Sequence, residues 1–182
     1  MGGSACTRNG DEWWLSDFDF IHASPPCQFV TYAASQWRKA GRTYPDLIAP
    51  TRQLLQAAGL PYVIENVPRA PLINPIILTG AMFGLRVKRD RLFECSFDIP
   101  SSILPAEEKH GPPVKMGRPF NANLGETFYP VGHFSGVQAA REAMEIDWMT
   151  GKELSQAIPP AYTRFIGEYW LGLRRQENTD EG

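Results

Sequence analysis

The chain is poor in cysteine: Cys6, Cys27 and Cys95 are the three among 182 residues. The number is odd, and no two of them stand in a C-x-x-C spacing. A disulfide framework and a cysteine zinc site are therefore not expected, and a reducing cytosol is the fitting compartment. No apolar stretch approaches ~18 residues, which leaves no membrane span to expect. The N-terminus lacks the pattern of a secretory signal. Positive charge is not in excess either, since 18 Lys and Arg stand against 20 Asp and Glu. That excludes a polybasic coat, and any nucleic-acid contact must use a local patch. His110 and His133 are separated by no common metal-ligand spacing and read as surface or turn residues; no metal is expected. No internal repeat is visible.

What the chain does have is a core-forming composition. It is 43% hydrophobic, with five Trp and ten Phe. Its length fits one domain of ~100–200 residues. Met1 to Gly10 reads as a poorly ordered terminus. Glu12 to Leu15 reads as a short helix. Phe18 to Ala23 is an apolar run, expected to form a buried strand. The prolines of Ser24-Pro25-Pro26-Cys27-Gln28 end it, because proline fixes φ and removes a ladder donor. Cys27 then sits on a stiff loop at a strand's carboxyl end, where open α/β sheets gather ligand chemistry. A lone cysteine is more often a small buried hydrophobe.

Phe29 to Thr43 reads as a mobile loop carrying Tyr32, Trp37, Arg38, Lys39 and Arg42. Pro45 to Ala58 has the periodicity of an amphipathic helix, stopped by Gly59. Pro61 to Val67 reads as a second strand. Strand, helix and strand in this span imply a right-handed parallel crossover. Cys27 and Glu65 would then lie at neighbouring strand tips. Ile76 to Gly84 reads as a short helix. Arg86-Val87-Lys88-Arg89-Asp90-Arg91 packs four cations into six residues and leads into another strand; such runs are commonly solvated edges. Ser96 to Val131 is rich in Pro and Gly and reads as an irregular insert. Gly136 to Met144, a short segment after Thr150, and Pro160 to Arg174 read as helices. The stripe Tyr162, Phe165, Ile166, Tyr169, Trp170, Leu173 is a core face. Gln176 to Gly182 reads as a tail.

Three short motifs now stand in order: Pro26-Cys27-Gln28, Glu65-Asn66-Val67 and Arg89-Asp90-Arg91. With Asp147-Trp148-Met149 and Ser155-Gln156-Ala157-Ile158-Pro159-Pro160, they resemble the DNA cytosine-5 methyltransferases, most closely the compact, phage-like members. The resemblance spans about Asp17 to Gly172. Where that family has Gln, Ser and Gly-Asn, this chain has Val87, Thr31 and Ser155-Gln156.

The resemblance implies an α/β, Rossmann-like methyltransferase catalytic domain with an N-terminally truncated, mostly parallel sheet. Its parts would be a catalytic region at 1–95, a recognition insert at 96–135, returning helices at 136–175 and a tail at 176–182. It implies transfer of a methyl group from S-adenosylmethionine to C5 of a flipped cytosine in double-stranded DNA. Cys27 would be the nucleophile, Glu65 would meet the ring's N3 and amine, and Asn66 would support the loop. Arg91 would hold O2, and Arg89 a phosphate or the catalytic loop. Pro26, Gln156, Ala157 and Ile158 would face the donor. Gln28, Thr31, Arg38, Lys39, Arg42 and Lys88 would face DNA. The compartment would be the cytoplasm, or the host's if phage-encoded.

About sixteen residues precede the first apolar run, and no G-x-G turn follows a strand there. Gly2-Gly3 is at most a remnant. Donor binding is accordingly expected to need a second subunit. The other reading is a non-catalytic DNA-binding or regulatory remnant without a cofactor site.

Overall fold

The computed structural model describes residues 5–8, 11–14, 17–31, 34–114, 125–130 and 134–180. Gly2, Gly3, Leu15, Tyr32 and His133 lie outside them. The chain is mixed α/β and divides into two compact units, one of residues 1–76 and 92–98, the other of residues 77–91 and 99–182.

The N-terminal segment differs from expectation. Strands β1 (Ala5–Arg8) and β2 (Asp11–Trp14) pair antiparallel, Ala5 opposite Trp14 and Arg8 opposite Asp11. No helix forms over residues 12–14. The sequence between the strands is Asn9-Gly10, the dipeptide that favours a two-residue hairpin, and it outweighs the helical reading of Glu12 to Leu15.

A second sheet has four strands in the order β3 (Ile21–Ala23), β4 (Tyr62–Asn66), β6 (Arg91–Cys95), β5 (Ile76–Leu78). β3 and β4 are parallel, Ala23 opposite Ile64. β4 and β6 are antiparallel, Glu65 opposite Phe93 and Asn66 opposite Leu92. The sheet is thus mixed, where a mostly parallel one was expected. A parallel neighbour needs a crossover, usually an α-helix. Between β4 and β6 the chain forms only β5 and a 3₁₀ helix, Gly80–Phe83. The expected helix at Ile76 to Gly84 is therefore a strand followed by that one turn, and Gly84 ends it at φ 67°.

α1 (Ser35–Lys39) interrupts the expected loop after the thiol. α2 (Ile48–Ala58) is the crossover between β3 and β4. Its first free amide, Ile48 N–H, is capped by Asp46 Oδ1 at 3.0 Å. Gly59 closes it in the left-handed region, φ 71°, which costs glycine little. Leu55 of α2 packs on Tyr62 and Ile64, with Ile21, Ala23 and Leu72 around them. Every residue of β4 is buried, as befits a strand with neighbours on both edges.

The second unit has its own core: Leu85, Val87, Phe128, Ala140, Ala143, Met144, Ile146 and Leu154. It holds α3 (Val137–Met144), α4 (Gly151–Leu154) and α5 (Pro160–Asp180). Thr150 and Glu153 close a capping box on α4, which satisfies two amides that the short helix would otherwise leave open. Proline at the first helical position costs α5 nothing, because that amide has no partner in the helix anyway. Tyr162, Ile166 and Trp170 are its buried stripe. The helix runs on through Asp180, so the expected tail is largely helical. The bridge Val87–Phe128 joins the insert to the basic run, and the bridge Pro113–Thr127 closes the insert on itself.

Candidate active site

The first unit brings the thiol loop to the tip of β4. β3 and β4 run parallel, so both carboxyl ends point the same way. Past Ala23 the chain turns through Ser24, buried Pro25 and exposed Pro26 to half-buried Cys27. Asn66, 2% exposed at the end of β4, donates from Nδ2 to the Pro25 carbonyl at 2.8 Å. Its Oδ1 accepts from Val67 N–H at 3.0 Å. The amide nitrogen thus joins the two strand tips, while the amide oxygen holds the backbone of its own strand's end. Glu65, its neighbour, is 8% exposed.

Beyond the thiol the backbone closes on itself. The Cys27 carbonyl accepts from Val30 N–H at 3.0 Å and Thr31 N–H at 2.8 Å. Arg38 donates from Nη1 to the Gln28 carbonyl at 2.6 Å, which ties α1 to the same turn. His22 and Glu65 fall on one face of the β3–β4 pair, because His22 is opposite Val63. Desolvation holds the His22 ring below its ordinary pKa, partly offset by the Glu65 carboxylate. Cys27 and Cys95 are both free thiols. Cys95 lies opposite Val63, and burial, then the Glu94 carboxylate, push its pKa up to about 12.

The basic run behaves differently from a solvated edge. Arg89 is 4% exposed. Its guanidinium donates to three carbonyls: Nε to Ala157 at 2.9 Å, Nη1 to Pro130 at 2.9 Å and Nη2 to Ser155 at 2.7 Å. Tyr162 Oη donates to the Arg89 carbonyl at 3.1 Å. Arg89 is therefore not a surface cation open to a phosphate; it binds the second unit's own segments together. Lys88 pairs with the Asp90 carboxylate. Arg91, half-buried, donates from Nη1 to the Asp90 carbonyl at 2.7 Å. It opens β6, and the next residue, Leu92, lies opposite Asn66.

Of the residues tied to a donor, Pro26 is exposed on the thiol loop, while Gln156 and Ala157 line a shallow cleft of ≈ 530 Å³. Met149, Thr150, Lys152 and Glu153 complete that cleft; Ile158 is half-buried beside it in sequence. Among the described residues, the glycine two places after a strand is Gly80, and a Cβ there would collide with the Val87 carbonyl oxygen. It serves chain packing, not a phosphate or adenosine cradle. The described residues do not fit a donor site, and no chemical step is derived through one. They also contain no group of three His, Cys, Asp or Glu side chains able to hold a metal, and no helix long and apolar enough to cross a membrane.

Sequence reasoning missed Arg38 as a tether and Arg89 as an internal one. A cation within a basic run has the same sequence signal whether it faces water or carbonyls. Against known proteins, the chain matches no family model, no curated protein and no solved structure.

Proposed function

We propose that this chain activates cytosine in DNA for C5 methylation, as the catalytic portion of a DNA cytosine-5 methyltransferase, with Cys27 as nucleophile. One observation carries the reading: the Asn66–Pro25 hydrogen bond that joins the Cys27 loop to the strand tip bearing Glu65. A thiol and a nearly buried carboxyl group on adjoining parallel tips are what addition to a pyrimidine needs.

The Cys27 thiol loses its proton to solvent, and the thiolate bonds to C6. The C5–C6 electron pair moves toward C5 and the ring. The Glu65 carboxyl group is the proposed partner of N3, stabilising the displaced charge by sharing a proton with the ring. C5, now nucleophilic, takes a proton from solvent. Loss of the original C5 proton and expulsion of the thiolate restore the ring. Arg91 is the proposed partner of O2, for which a guanidinium's fixed donors suit. The donor itself, S-adenosylmethionine by the resemblance, would be presented by a second subunit.

The test needs no donor. DNA carrying tritium at cytosine C5 should release it to water with the wild-type chain. Cys27→Ala should abolish release, and Glu65→Gln and Arg91→Met should slow it by roughly 10²-fold or more, the usual scale of a lost acid–base or electrostatic group. A wild-type chain that releases no tritium and forms no adduct with DNA containing 2-pyrimidinone would remove the catalytic reading.

A further inference from the structure

We propose that Trp37 and Arg42 form a stacking site for an unpaired nucleobase, so that the chain engages single-stranded or unstacked DNA; this rests on DNA being its substrate. The local structure begins with Gly41. Its φ of 87° is left-handed, and nothing lies within 4 Å of where a Cβ would be. Glycine is thus required there by conformation and not by crowding. Gly41 N–H returns to the Arg38 carbonyl and Arg42 N–H to the Trp37 carbonyl, both at 3.0 Å. This paired return closes the C-terminus of α1 in the Schellman manner.

Such a closure brings together the residues at the Trp37 and Arg42 positions, which are commonly both apolar. Here the pair is an indole and a guanidinium, with Arg42 Cζ 4.6 Å from the ring centroid. Trp37 is nevertheless 45% exposed, and α1 buries none of its residues. The ring is not core. It is a flat apolar surface held in place and backed by a cation.

Charge selects the occupant. From Phe20 to Pro45 there is no acidic residue, while Arg38, Lys39 and Arg42 are present in a chain of net charge −2. Lys39 and Arg42 are exposed. A local positive surface around an aromatic face suits a polyanion whose units carry π-faces. Every base offers one, so stacking tolerates any sequence. In an intact duplex those faces are covered by neighbours, and the site is selective for bases that have left the stack. The surface is also fixed to the thiol loop, since Arg38 binds the Gln28 carbonyl beside Cys27.

The alternative is that the pair merely caps the helix. Trp37→Leu separates the two, because leucine keeps an apolar residue at the capping position and removes the π-face. Binding of a labelled mixed-sequence oligonucleotide, single-stranded and as its blunt duplex, is followed by fluorescence anisotropy. Urea midpoints of each variant verify that it is folded. Trp37→Leu should bind the single strand roughly tenfold more weakly, with duplex affinity changed by less than about twofold and Trp37→Phe in between, as expected of stacking alone. Arg42→Gln should flatten the dependence of log affinity on log salt by about 0.7 for the single strand. Equal single-strand binding by wild type and Trp37→Leu, equal losses on both DNA forms, or an unchanged salt slope would each overturn the stacking site. If Trp37→Leu does not fold, Trp37→Phe and the salt slope decide. A wild type that binds duplex without using Trp37 sinks this site alone, whereas one that binds neither DNA form sinks the DNA reading itself.

Discussion

Asn66 Nδ2 lies 2.8 Å from the Pro25 carbonyl oxygen, forty-one residues away in the chain. Proline has no amide hydrogen with which to join a ladder, yet its carbonyl remains a full acceptor. The end of β3 is therefore held to β4 by a side chain where backbone pairing has stopped.

Replacing that amide should loosen the thiol loop. Asn66→Ala leaves the buried Pro25 carbonyl without this donor and should lower stability by ~1–3 kcal/mol, the cost of an unmet buried polar group. Tritium release should fall further than the fraction unfolded explains. A urea titration beside the release assay checks both; unchanged release in a folded Asn66→Ala would mean that the loop is positioned by other contacts.

Arg89 should behave as a structural residue. Its fork reaches three carbonyls that a single ammonium cannot reach together. Arg89→Lys should therefore destabilise the chain by at least about 1–3 kcal/mol, and Arg89→Met by more. Neither should change the salt dependence of DNA binding at temperatures where the variant is folded. A reduced slope would return Arg89 to the phosphate contacts.

The pair formed by Arg52 and Glu94 lies within the first unit. Arg52 donates Nε and Nη2 to the two carboxylate oxygens at 2.6 and 2.7 Å, and Ile73 N–H adds a third bond at 2.7 Å. Glu94 is 4% exposed. Breaking the pair from one side, with Arg52→Met, should cost about 3–5 kcal/mol, because it strands a buried carboxylate. Arg52→Met with Glu94→Leu should recover much of the loss. A double-mutant cycle from urea midpoints reads the coupling directly.

Stability should fall in alkali. Cys95 in the unfolded chain gives up its proton near its ordinary value of 9.0, whereas in the folded chain it holds it until about 12. The unfolded state thus binds fewer protons above pH about 9, so the folded state's advantage is whole below that pH and lost as pH rises toward 12. Tyr162 is shifted in the same direction, first by burial and then by Asp90. Cys95→Val should flatten the dependence of the urea midpoint on pH in this window. An identical slope in the variant would place the alkaline loss elsewhere.

The residues that end elements were the most legible. Pro25-Pro26, Gly59 and Gly84 act through φ and missing donors, which are properties of one residue and its neighbours. The β3–α2–β4 crossover followed from periodicity bounded by such residues. The β1–β2 hairpin has its signal in Asn9-Gly10, which the helical reading of Glu12 to Leu15 leaves unused. The mixed sheet was not legible. Whether β6 runs with or against β4 depends on how the connection between them folds, and a strand's sequence does not encode its direction.

From sequence alone came the chemistry available: a thiol after two prolines, an acid after an apolar strand and a basic run. These are matters of residue type and spacing. Only the tertiary structure decided which polar groups meet. It put Asn66 on Pro25, Arg38 on Gln28 and Arg89 on three carbonyls. A donor in a sequence carries no mark of its acceptor. The acceptors here are backbone carbonyls, which every residue has, so folding alone selects the one that lies within reach.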